Sequence, residues 1–244
     1  MVTPLVERYA RDGVLILGGA RAILLQIADP VVGAAVAEHS AFARRPMQRL
    51  RNTLTFVYAV TFGTPEQAAT VARLVNRSHA GIRGAADAAR QLWVAATLYE
   101  TATLVHDAVF GPLEPAAADE VYRAYAALGE ALQVPAGAWP PDRAAFARYW
   151  AETSVGLEVT EHARRVAREL LHPVAVPWWV RPGMPLVRTL TAGMLPPDLR
   201  TAYDLPDHPR RYRAAVGFVR AVARITPRRL REWPSRHYLS RLGQ

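Results

Sequence analysis

RLRNTLTFVYAVTFGTPEQAATVARLVNRSHAGIRG, residues 49–84, is the stretch on which the rest of the chain is expected to build, and it reads as two consecutive helices. The first runs from about Arg49 to Phe62, and Gly63 ends it. Thr64-Pro65-Glu66-Gln67 restarts the chain. Threonine takes the N-cap, proline the first helical position where its missing N–H is no loss, and glutamine the position that reaches back to the cap. On the second helix Ala68, Val71, Ala72, Val75, His79 and Ile82 recur at steps of three and four and so share one face. That face is apolar, which directs it, and His79 with it, toward the core. On the first helix Arg49, Asn52, Thr53, Phe56 and Val60 form a stripe, polar at its start and apolar at its end. A lone histidine on an apolar face is ordinarily a hydrogen-bonded core residue. Opposite a half-polar helix it can also hold the iron of a cofactor.

A chain of 244 residues with 51% apolar residues is long enough for one substantial core and too apolar for disorder. We expect one domain over 1–244, with a core at about 13–172 and a segment, 173–244, packed on it. No uncharged apolar run reaches the length of a membrane span. Near the N-terminus Val14 to Leu17 is apolar but short, and Arg8, Arg11 and Arg21 flank it without a small-residue cleavage site; a cytoplasmic protein is expected. Cysteine is absent, which excludes disulfides, thiolate-ligated haem, covalent c-type haem and iron–sulfur clusters. Any metal must be held by nitrogen or oxygen.

The net charge of +9 is unevenly placed. Residues 1–199 carry 19 arginines against 18 acids, and 200–244 carry 11 against 3. Such a tail can meet nucleic acid or an anionic membrane surface. The chain has no lysine and abundant Ala, Pro and Gly, a pattern of codon bias in which arginine takes every basic position. On that ground the arginines read as ordinary helix surface, and no nucleic-acid partner is expected.

Helical segments follow one another along the chain. A short helix over 3–12 breaks at Asp12-Gly13, and Gly18-Gly19 precedes an apolar run, Ala20 to Ile27. With no GxGxxG, no Walker lysine and no strand before it, the glycine pair reads as close helix packing. Asp29-Pro30 starts another helix, and Ser40 to Gln48 is a polar, basic loop. Helices follow at about 87–110, 115–132, 142–153 and 157–171. Ten of the nineteen prolines lie beyond residue 172, where short helices near 185–195, 197–203 and 209–225 are expected. No alternating strand pattern appears, so the fold class is all-α. HExxH, GxSxG and the paired Glu-x-x-His of a di-iron bundle are all missing, and Glu158 with His162 reads as a surface pair.

LILGGARAILLQIADP at 15–30, VAEHSAFARRPMQRLRNTLTFVYAVTFG at 36–63, VNRSHAGIRG at 75–84 and LWVAATLYET at 92–101 carry a resemblance. They resemble the oxygenase family of the bacterial rubber oxygenases (latex-clearing proteins) and the oxygenase of mycophenolic acid biosynthesis. The resemblance implies an all-α, globin-like helical core binding haem b through one histidine, here His79. It further implies Arg49 and Thr53 as catalytic and cofactor-binding residues, with Asn52 beside them as a third catalytic candidate, and dioxygen activation toward an apolar small molecule such as an alkene or isoprenoid chain. Arg83, one turn after His79, is a candidate propionate partner, and Trp93 either packs the macrocycle or fills the core. An electron donor would complete such a cycle.

Departures from the family pattern accompany the match. Rubber oxygenases place a lysine just before the threonine, whereas this chain has Asn52 there and no lysine to substitute. Relatives also carry histidine where this chain has Asp29 and Ala95, which concentrates the ligand role on His79. Two other readings share the same residues: a haem protein that binds or senses a gas, and a helical scaffold that has lost the cofactor.

Overall fold

Short polar residues open seven of the helical segments by accepting hydrogen bonds from the backbone N–H groups that a first turn leaves unpaired. Thr3, Asp12, Asp29, Thr64, Asp87, Asp142 and Thr160 all do so. The computed structural model describes residues 3–39, 46–79, 87–131, 134–174 and 176–240. Among them are fourteen α-helices, two short 3-10 segments and no strand. The first three helices are α1 (Pro4–Ala10), α2 (Gly19–Ile27) and α3 (Pro30–His39). Next come α4 (Pro46–Phe62), α5 (Pro65–His79), α6 (Ala88–Phe110) and α7 (Pro115–Ala131). They are followed by α8 (Arg143–Val155), α9 (Glu161–Leu171), α10 (Met184–Met194) and α11 (Pro197–Ala202). The last three are α12 (Pro209–Ile225), α13 (Arg228–Arg231) and α14 (Trp233–Ser240).

The all-α expectation holds, and several details differ from it. α4 begins at Pro46, three residues before the expected Arg49, because proline suits a first turn. Gly13–Gly18 forms a 3-10 helix where only an apolar run was read. Glu158 lies ahead of α9, its N–H donating to the Ala28 carbonyl at 2.8 Å, so it is not paired with His162 along one helix.

The axis of the molecule is α6, and not the helix pair at 49–84. Its 23 residues extend about 34 Å at ~1.5 Å per residue. Buried side chains surround it on all sides, as befits a helix apolar all round. Three apolar clusters meet on it. Ala95, Ala96, Tyr99 and Ala102 join Tyr9, Phe56, Val71, Tyr122, Tyr125 and Phe146 from α1, α4, α5, α7 and α8. Trp93 joins Leu24, Leu25, Val166, Leu171 and Leu199. Val105 joins Leu190 and Met194 of α10 and Ala215 and Val219 of α12, which is how the C-terminal segment is held to the core.

Polar ties fix the register of these layers. Arg21 on α2, only 2% exposed, donates from Nε to the Met194 carbonyl at 2.8 Å and from Nη1 to Thr101 Oγ1 at 2.7 Å. Its guanidinium also grips both carboxylate oxygens of Glu100. One side chain thus joins α2, α6 and α10. Gly18 packs directly on α6, because an added Cβ would meet Thr101 Cγ2 at 2.5 Å, while Gly19 meets nothing within 4 Å. The end of the chain closes on its beginning. Arg231 Nη1 donates to Asp12 Oδ2 at 2.5 Å, and Tyr238 of α14 lies against Tyr58 of α4 with ring centroids 6.2 Å apart.

Candidate functional site

The turn at Gly63 and Thr64 folds α5 back along α4. The capping box there is reciprocal: Gln67 N–H donates to Thr64 Oγ1 at 3.3 Å, and Thr64 N–H donates to Gln67 Oε1 at 2.9 Å. His79, the last residue of α5, therefore lies at the same end of the hairpin as the opening turns of α4. Along α5 the expected inner face is confirmed as far as it can be followed. Val71 is buried, Ala68, Ala72 and Val75 are half-buried, and Ala69, Thr70, Arg73 and Leu74 are exposed. His79 continues the Val71–Val75 register by one more turn; its side chain, like that of Arg49, lies outside the described residues. Ile82 and Arg83 lie outside them altogether.

On α4 the stripe changes character along its length. Phe56 is buried and Val60 half-buried, whereas Asn52 and Thr53, one turn earlier on the same face, are exposed. Asn52 Oδ1 accepts from Gln48 Nε2 at 2.8 Å, a bond along the helix surface. The hairpin thus carries a face that is packed near the turn and open, with polar groups, near His79. Behind it, Tyr58 is buried between α4 and α14. Burial, then the neighbouring Tyr238, push its hydroxyl above the ordinary tyrosine range and keep it neutral.

Trp93 lies elsewhere. It belongs to the cluster of α2 and α9 and lies tilted against Trp150, ring centroids 4.9 Å apart. Its Nε1–H donates to the Leu25 carbonyl at 3.1 Å, one of the carbonyls that the end of α2 leaves unpaired. The structure does not place it in the apolar cluster of Phe56 and Val71, and its one polar atom is already committed. Asp29 has local work as well: Oδ1 accepts from the N–H groups of Val31 and Val32, both at 2.9 Å, and faces Arg90 Nε at 3.4 Å. Ala95 is fully buried inside α6.

The model of the family "ER-bound oxygenase mpaB/B'/Rubber oxygenase, catalytic domain" matches residues 7–224. The chain belongs to this family. It is therefore an oxygenase-type catalytic domain. Uncharacterized proteins of Mycobacterium tuberculosis and Mycobacterium bovis are each 34% identical to it over 224 residues, covering 85% of this chain and 88% of theirs. No solved structure matches it. The family match covers α4, α5, α6 and all but the last residue of α12, and ends before α14, which packs on α4.

A haem iron would need one protein nitrogen. The candidate is His79, whose backbone ends α5 and whose side chain lies outside the described residues. Among the described residues no three His, Cys, Asp or Glu side chains gather into a metal cluster. The family pieces also contain a pair that sequence reasoning missed, Arg21 and Glu100. The available signal was an arginine within the apolar run Ala20–Ile27 and a glutamate within an apolar helix, 79 positions apart.

Proposed function

We propose that this protein is a haem b-dependent oxygenase that acts on an apolar small molecule, an alkene or isoprenoid chain among the candidates, with the whole chain working as one unit. The observation that carries the reading is the family match across residues 7–224, with His79 at the open end of the α4–α5 hairpin. In this reading His79 holds the iron through one ring nitrogen, and Arg49 and Arg83 pair with the propionates. Haem b supplies, when bound, the one-electron and dioxygen chemistry.

The chain's own residues do the rest. The packed cluster of Phe56 and Val60 beside Val71 and Val75 holds the two helices of the hairpin together and keeps water out of that end of it. In this reading the Thr53 hydroxyl and the Asn52 amide, both exposed on α4, donate hydrogen bonds that stabilise developing negative charge. With no lysine in the chain, no side-chain amine would compete with His79 for the iron. Trp93 keeps its place in the core as packing.

The test is the visible spectrum and haem content of the purified protein and of His79→Ala. The wild type should show a Soret band and one haem per chain. His79→Ala should lose both while keeping its helix content, since a single substitution typically costs only ~0.5–3 kcal/mol. Equal haem loading in the variant would place the iron elsewhere. Oxygen uptake on adding an alkene separates an oxygenase from a gas-binding protein.

A further inference from the structure

The arginine-rich end of the chain has a second character that composition concealed. α12 carries two apolar stripes, one buried and one exposed. Ala215, Val219 and Ala223 are buried against the core. Around the helix from them Phe218 is 59% and Ile225 81% exposed, with Val222 also exposed and Ala214 and Ala221 in the same stripe. A helix that only covered α6 and α10 would be polar there. Arg213, Arg220 and Arg224 border this stripe on one side, and Arg211 falls in line with it at the N-terminal end of the helix, by helical register. Leu230 on α13 and Trp233 on α14 continue the exposed apolar series.

The charges around the stripe are unbalanced. Of the three acids in residues 200–244, Asp207 pairs with Arg200 at 2.8 Å and Asp204 lies 3.9 Å from Arg164. The third, Glu232, pairs with both Arg228 and Arg236. Arg210, Arg211, Arg213, Arg224 and Arg229 have no acidic partner among the described residues.

We propose that this face seats on an anionic phospholipid surface. Phe218, Val222 and Ile225 enter the headgroup boundary, and the flanking arginines meet the phosphates. Large exposed apolar side chains bordered by cations are what such a surface selects, lying in the interface plane. It needs no span, and no single helix among the described residues is long and apolar enough for one. A second copy of the chain is a poorer occupant, because a two-fold contact would set one arginine border against another. Nucleic acid would engage the arginines but leave Phe218 and Ile225 in water. The seating also brings an apolar substrate dissolved in lipid close to the protein.

The experiment is co-sedimentation of the purified full chain with vesicles of phosphatidylglycerol and phosphatidylcholine in equal parts, against phosphatidylcholine alone. Binding to the mixed vesicles should fall steeply with salt. Phe218→Ser with Ile225→Ser should weaken it about tenfold per side chain. Arg213→Gln with Arg224→Gln should weaken it about fivefold per arginine. The salt series on the wild type stands even if a variant misfolds. Absence of co-sedimentation, equal binding to phosphatidylcholine alone, or unchanged binding in the folded apolar double variant overturns the proposal. So does a concentration-dependent dimer that Ile225→Ser abolishes, or DNA binding in place of vesicle binding.

Discussion

Removing the Arg21 guanidinium tests the frame that holds α2, α6 and α10 together. Arg21→Met keeps an unbranched chain of similar length, so the loss is chiefly polar. The Met194 carbonyl near the end of α10 and the Thr101 hydroxyl lose their donor, and the Glu100 carboxylate loses its counter-charge. Breaking a buried pair by removing one partner costs about 3–5 kcal/mol. The Glu100 side chain is 25% exposed and recovers some hydration, which places the cost near the lower figure, about 3 kcal/mol. For a chain of this size that corresponds to a fall in Tm of roughly 6–12 °C. Thermal unfolding followed by circular dichroism reads it directly. Replacing both partners, Arg21→Met with Glu100→Met, leaves neither charge stranded and should cost less than the two single changes added together, a coupling of roughly 0.5–3 kcal/mol. A single variant within 2 °C of wild type, or strictly additive changes, would refute the assignment of this pair as a structural tie.

Two further outcomes follow from packing and burial. Gly193→Ala puts a Cβ 2.2 Å from Tyr212 Cδ2 and should destabilise by about 1–3 kcal/mol, whereas Gly217→Ala meets nothing within 4 Å and should stabilise by up to ~1 kcal/mol; paired Tm values check both. Burial raises the hydroxyl pKa of Tyr125 and Tyr203 above the ordinary value, as it does for Tyr58. A raised folded value means the stabilisation is intact below the unfolded value of about 10 and is lost as pH climbs past it toward the folded one. Absorbance at 295 nm should then show these residues ionising together with the loss of helix. Ionisation of all nine tyrosines near the ordinary value with helix content unchanged would contradict their burial.

Local chemistry was readable in the sequence because its causes are local. Thr64 with Gln67, Asp29 before Pro30, and Gly63 after Phe62 mark turns and caps whose donors and acceptors lie within four residues, and the structure has them as read. The Val71–Val75 stripe was readable for the same reason. The central role of α6 was not, because a helix buried on every side shows no amphipathic face to identify. α13 and α14 were hidden by Pro227, Pro234 and a dense run of arginines, which read as turn and surface. The site was readable as a set of residue types on a hairpin. Exposure was not: Asn52 and Phe56 share one face in any helical projection, and only packing distinguishes the bare turn from the buried one. The Arg21–Glu100 pair depends on two positions meeting across 79 residues, which no window of sequence contains.

The bond from Arg231 to Asp12 joins positions 219 residues apart. At ordinary synthesis rates, Asp12 has been outside its partner's reach for roughly 10–40 s by the time Arg231 is added. The same interval applies to α4, whose Tyr58 receives its cover from Tyr238 only when α14 arrives. Helical proteins usually fold fast because their contacts are near neighbours in sequence. Here the earliest helices wait, half-dressed, for the latest ones, and the hairpin that carries His79 is among the parts completed last.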